Sequence, residues 1–323
     1  GRPTITRAHF YRDGVEEWYL LRTRQLCAVT LRLFRFTGAH GGAPNSSGSA
    51  EGAGGAAYGI NARSLDAPVA LHFGGAAIIN RDLNPAEAAL LSELHARGIS
   101  LVVAGLCGFG DDLWRGGMWE FAPLLLGRTH VGLHAEEVLH VVSWALEVLG
   151  ASSVVLIGVG DAAPAVLHAA LHAPRAQPER LGGPPPRNGS MAGAAGPRGP
   201  ALAGVALVRP VGSLADVATA RRHRMPWQMQ MHGVLQHYDM PDLLAALAAR
   251  GGPRALVMEP LDAMHKPLTR RRALDMYDLA LRRFAAARCR MRIGPGPREA
   301  EAREVSAFVA AAGGRAGTHS ERG

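Results

Sequence analysis

Lysine is almost absent. Lys266 is the only one in 323 residues, although the chain carries a net charge of +8. The basicity is arginine, and it comes with abundant Ala, Gly and Pro, a composition that reflects coding bias more than a selected patch. The densest run, Arg270-Arg271-Arg272, opens a predicted helix and reads as a solvated helix face. No nucleic-acid partner is expected. An arginine-rich binder of anionic polymers is the reading that this charge leaves open, and it predicts association that weakens steeply with salt.

Cysteine is scarce as well. Cys27, Cys107 and Cys289 are widely spaced, which argues against a disulfide framework and against a cysteine-rich zinc site. No run reaches the roughly 18 apolar residues that a spanning helix needs. The segment from Val131 to Leu149 comes nearest, but His134, Glu136, Glu137, His140 and Glu147 interrupt it. No basic-then-apolar leader follows Gly1, so no secretory signal and no compartment are read. What is present is a 48% hydrophobic chain, which excludes collagen-like, coiled-coil and wholly disordered readings.

Two stretches, 38–57 and 173–200, are built from Gly, Ala, Ser, Asn and Pro and bury too little apolar surface to offset ordering. They are read as disordered insertions in one domain spanning 1–323, which ends in a frayed tail, 313–323. The Asn-x-Ser triplets at Asn45 and Asn188 fall inside them.

Between the insertions a regular alternation emerges. Glu17–Thr23 and Gln25–Phe36 read as an antiparallel hairpin. Strands are expected at Ala67–Phe73, Ser100–Ala104, Ser152–Ile157, Ala203–Val208, Arg254–Met258 and Arg288–Ile293. Helices are expected at Pro85–Arg97, Leu133–Leu149, Ala162–His172, Pro241–Arg250, Arg270–Ala287 and Arg298–Ala312. Continuous apolar strands alternating with helices imply an α/β fold: an eight-stranded, mostly parallel sheet with helices on both faces. In such sheets the working groups sit in loops at the carboxyl ends of the strands.

The loop after Ile157, Gly158-Val159-Gly160-Asp161-Ala162-Ala163-Pro164, is crowded with small residues, as a nucleophile elbow requires. Asp161 is its one candidate nucleophile, although a helix cap is the commoner job for an Asp at this place. In the loop after Met258, Asp262 is placed as a triad acid would be, or else organises the turn. His265, three residues on, is a candidate base. The loop after Ile293, where a triad wants its histidine, has none; His319 lies in the tail. Phe73-Gly74-Gly75, after His72, resembles an oxyanion loop, and Gly108-Phe109-Gly110 is a second candidate pocket wall. His130, His134 and His140 cluster with Glu136 and Glu137 between them, but Gly132 weakens the helix that would put them on one face, and the pair His168 and His172 has no carboxylate or cysteine in register, so no metal and no cofactor are expected.

Together these loops resemble the α/β-hydrolase fold, and within it the acetyl xylan esterase and dienelactone-hydrolase-like branch. Gly108-Phe109-Gly110 matches that branch's Arg-Gly-Gln-Gly type loop, and Val159 to Pro164 its Gly-Gly-Ser-Gln-Gly-Gly. The segment Gly233 to Leu243, with His237 and Asp239, resembles the stretch ahead of the helix that precedes the acid strand, and Asp262 to Thr269 the acid loop. The resemblance covers Glu17 to Ala312. It implies Asp262 as triad acid, Asp161 at the serine position, with Ala162 beside it, and the histidine position near Pro297 or Arg298. One triad member is kept and two are replaced, so an impaired esterase, a pseudoenzyme, is the expected outcome. The other expectation is an active carboxylic-ester hydrolase that takes a small acyl ester, with Asp161 attacking and His237 or His265 as base.

Overall fold

The computed structural model describes residues 4–10, 16–22, 28–35, 68–74, 85–107, 123, 125, 127–173, 201–226, 229–250, 253–287, 290–294 and 298–313. Most of the 38–57 and 173–200 insertions, both Asn-x-Ser triplets and the tail beyond 313 lie outside them. Ala173 and Gly313 themselves close helices.

The strands are β1 (Thr4–Phe10), β2 (Glu16–Arg22), β3 (Ala28–Phe34), β4 (Val69–Phe73), β5 (Ser100–Gly105), β6 (Ser153–Val159), β7 (Ala201–Val208), β8 (Arg254–Met258) and β9 (Met291–Gly294). They form one sheet in the order β1-β2-β3-β5-β4-β6-β7-β8-β9. The first three pairings, β1 with β2, β2 with β3 and β3 with β5, are antiparallel, and every later one is parallel. The expected eight strands are therefore one too few. Thr4–Phe10 adds a ninth at the edge, outside the hairpin, because a backbone ladder against β2 is enough to recruit it.

Helices cover both faces. They are α1 (Pro85–His95), α2 (His130–Glu147), α3 (Ala163–His172), α4 (Leu214–Thr219), α5 (Met240–Ala249), α6 (Arg270–Met276), α7 (Asp278–Ala286) and α8 (Arg298–Gly313). Strand alternation sorts the core. Leu71, Phe73, Leu156 and Val205 meet α2, α3, α5 and α7 on one side, with Trp144 fully enclosed. Ala70, Val155, Ile157 and Ala206 meet Leu90 and Leu94 of α1 and Val305, Phe308 and Val309 of α8 on the other. Both faces being covered is why these strands read as unbroken apolar runs. Among the described residues no helix is long and apolar enough to cross a membrane.

The helix expected over Arg270–Ala287 is two. It breaks at Tyr277 (φ −97°, ψ 12°), whose fully buried ring sends its hydroxyl to the Gly212 carbonyl at 3.2 Å. A buried phenol needs such an acceptor, and reaching it turns the chain.

Candidate functional site

The β6–α3 connection is a single 3-10 turn, Gly160–Ala162, between a strand and a helix that pack tightly. A Cβ added at Gly158 would lie 2.9 Å from Val166 Cβ and 3.0 Å from Ala163 Cα, so only glycine lets α3 approach β6 here. The sharp bend is at Gly160, with φ +56°. A Cβ built there meets nothing within 4 Å and faces open space. An elbow thrusts its nucleophile from that strained position. The residue at the bend is thus Gly160, which carries no side chain.

Asp161 is the next residue along. It does not cap the helix: neither the turn nor α3 has a side-chain cap, and among the described residues its carboxylate accepts no hydrogen bond. It lines a cavity of about 110 Å³ together with Gly160, Pro164, Arg209, Val211, Met225, Met229, Leu261 and His265. Burial pushes the Asp161 carboxyl above its ordinary range, and the nearby His265 pulls it back. Ala162 is buried behind the turn.

His265 arrives from the loop after β8. Asp262 builds that loop: its Oδ1 accepts the N–H groups of Met264 (2.8 Å) and Lys266 (2.9 Å), and its own N–H donates to the Lys266 carbonyl. Asp262 is therefore engaged as a turn organiser, and it is His265 that the turn presents to the cavity, at φ +59°. The described residues hold two more non-glycine left-handed positions, Arg209 (+50°) after β7 and Glu259 (+47°) after β8. All three lie at the carboxyl edge of the sheet. Each such residue costs about 1–3 kcal/mol, a strain that recurs where loops are shaped around a ligand. Arg209 Nη1 donates to Glu301 of α8 at 2.5 Å.

On the other side of Arg209 is a second, smaller cavity of about 80 Å³, lined among others by His72, Gly74, Glu87 and Glu301. His72 is buried at the end of β4, with Nδ1 3.8 Å from Glu87 Oε1. Burial and then Arg209 hold its imidazole down to about 4, so it is neutral. Phe73 is core. Gly75, Gly108, Phe109 and Gly110 lie outside the described residues, as does Pro297; Arg298 begins α8.

His237 is exposed and does not line the Asp161 cavity. Its segment does other work. Asp239 caps α5 in a reciprocal box with Asp242 and also holds the start of α4. Oδ1 accepts from Met240 and Leu214 N–H (2.6 Å each), and Oδ2 from Ser213 Oγ (2.5 Å) and Ala215 N–H (3.3 Å). Tyr238 pairs with His168 Nε2 at 2.8 Å, and His168 Nδ1–H donates to the Pro164 carbonyl. The His130 and His134 rings lie tilted at 45°, with centroids 6.1 Å apart. Among the described residues no group of three or more His, Cys, Asp or Glu is placed to hold a metal.

The end of β5 is clamped by α2. Cys107 N–H donates to Glu137 Oε2 (3.0 Å), and His134 Nε2–H donates to the Cys107 carbonyl (2.7 Å). Cys107 is also disulfide-bonded, despite the wide spacing of the cysteines in sequence. Separation along the chain does not set distance in a sheet. Burial lifts the Glu137 carboxyl from 4.5 to about 7; the Cys107 N–H opposes the rise and Glu136 adds to it. A folded acid above its unfolded value holds its extra proton between those two pH values, so stability falls as pH rises from about 4.5 to about 7 and then levels. Glu137→Gln keeps an acceptor for the amide and removes the buried charge. Urea unfolding is expected to find the variant more stable above pH 7, on the order of 3 kcal/mol, and nearly equal to the parent at the acid end. A gap that widens toward acid would contradict the assignment.

No protein-family model matches the sequence, and no curated protein matches it either. Solved structures do. A Bacteroides fragilis protein assigned as an acetyl xylan esterase superposes with a TM-score of 0.53 at 13% identity, over 91% of this chain and 70% of its own. The dienelactone hydrolase of Anabaena variabilis covers 91% and 97% at 12% identity, with a TM-score of 0.45. Porphyromonas gingivalis dipeptidyl peptidase 4 gives 0.48 at 9% identity; this chain covers 35% of its length. The chain has the α/β-hydrolase fold.

Proposed function

We propose that this chain is an α/β-hydrolase-fold protein of esterase ancestry that binds a small molecule at the elbow without acyl-transfer chemistry. The observation that carries the reading is Gly160. Covalent acyl transfer needs a side chain that attacks the carbonyl from the turn, and glycine offers none. What remains is a cavity lined by Asp161, Arg209 and His265 together with Val211, Met225, Met229 and Leu261, a mixed lining suited to holding a ligand.

A second reading keeps an active carboxylic-ester hydrolase. Its support is that Asp161 and His265 share the cavity and interact electrostatically, as an acid-base pair does. Hydrolysis of p-nitrophenyl acetate separates the two. The expected result is that parent, Asp161→Ala and buffer release nitrophenolate at the same rate. Turnover by the parent that disappears in Asp161→Ala would overturn the binding reading in favour of the hydrolase.

A further inference from the structure

The cavity on the far side of Arg209 from the elbow has a chemistry of its own. His72, near the end of β4, lines it. Its Nδ1 is enclosed and faces Glu87 Oε1 at 3.8 Å, beyond hydrogen-bond reach. Neither ring nitrogen has a hydrogen-bond partner among the described residues, and Nε2 is the open one. The imidazole is neutral, because burial and then Arg209 oppose its charge. A neutral imidazole carries one proton, and the carboxylate beside Nδ1 favours placing it there. Nε2 is then a bare acceptor. Gly74 keeps the place clear: a Cβ built on it would lie 2.9 Å from His72 Cε1, the carbon between the two nitrogens.

The other walls narrow the occupant. Arg209 and Glu301 are ion-paired with each other, so neither asks a ligand for charge. A cation entering beside His72 meets the positive field of Arg209, and an anion meets Glu87 and Glu301. The rest of the lining is largely aliphatic, with Leu90, Val159, Val208 and Val305. We infer that the His72 cavity takes a small neutral alcohol, its hydroxyl donating to Nε2 and its alkyl group against Leu90 and Val305. The inference goes beyond the elbow reading and does not rest on it. Size agrees: about 80 Å³ is several times the roughly 10–15 Å³ that one water needs. Water donates equally well, but it leaves the aliphatic wall unmatched.

Long-range proton–nitrogen NMR on the full chain tests it by following the His72 ring nitrogens while 2-propanol is added to about 100 mM, a range suited to so small a ligand. Acetone is the close control, since it has the same heavy-atom skeleton and no donor. Acetate and isopropylammonium bring one charge each. Before any addition the proton is expected on Nδ1. 2-Propanol is expected to shift Nε2 saturably, and each control to bind about tenfold more weakly or worse, because it leaves the acceptor unanswered or brings an unanswered charge. Ala302→Leu fills the cavity from α8 and keeps the reporting imidazole; it is expected to abolish the shift. If that variant fails to fold, the series on the parent decides alone. A proton on Nε2, no saturable shift with 2-propanol, equal binding of acetone, or tighter binding of either ion overturns the inference. So does a folded Ala302→Leu that binds 2-propanol like the parent.

Discussion

Asp239→Ala is expected to lower the unfolding free energy by about 3 kcal/mol, because one carboxylate closes the starts of two helices. Losing a cap costs roughly 0.5–2 kcal/mol at one helix. Here α5 loses its cap, while α4 keeps its own Ser213 cap but loses the acceptor for its Leu214 and Ala215 N–H groups, and Ser213 Oγ loses its acceptor. Asp242 Oδ2 still accepts the residue-239 N–H, so the capping box is half kept and the effect stays short of unfolding the domain. Asp239→Asn retains one acceptor oxygen and should lose about half as much. Urea titration with an unchanged slope is the measurement. A loss below about 1 kcal/mol for the alanine variant would mean that water replaces the carboxylate at both helix starts.

Gly158→Val should be as damaging through the opposite mechanism. The first carbon of the new side chain already sits 2.9 Å from Val166 Cβ and 3.0 Å from Ala163 Cα, and the second contact is backbone that no rotamer change can relieve. α3 would have to lift from β6, and it also packs on α2 and α5. Overpacking typically costs about 1–3 kcal/mol, and a helix held by backbone belongs at the upper end. Gly160→Ser, two residues on, is the control. It enters open space and meets only the left-handed backbone, about 1–2 kcal/mol. Thermal unfolding that ranks Gly160→Ser below Gly158→Val would overturn the tight-approach account of the elbow.

Much of this was legible in the chain. The six parallel strands announce themselves because covered faces demand apolar side chains at both parities, as at Val69–Phe73 and Ser153–Val159. The helix at Pro85 is marked by its proline start and its Leu90–Leu94 face. The crowd of small residues from Gly158 to Ala163 correctly predicts a tight strand-to-helix turn. The Asp239-x-x-Asp242 spacing is itself a capping signal for the start of α5. β1 is not legible in the sequence because an edge strand needs only one neighbour's ladder and imposes little pattern.

The sequence by itself determined the class of fold and which loops could carry chemistry, since strand and helix periodicities and small-residue turns are written in near neighbours. Tertiary structure alone decided that the bend falls on Gly160 and not on Asp161, that Asp262 builds a turn, and that His265 and Arg209 share the cavity with Asp161. The place of the bend is set by a backbone angle. The meeting of loops after β6, β7 and β8 is set by a strand order that brings positions about a hundred residues apart to one edge. Neither leaves a mark on local composition.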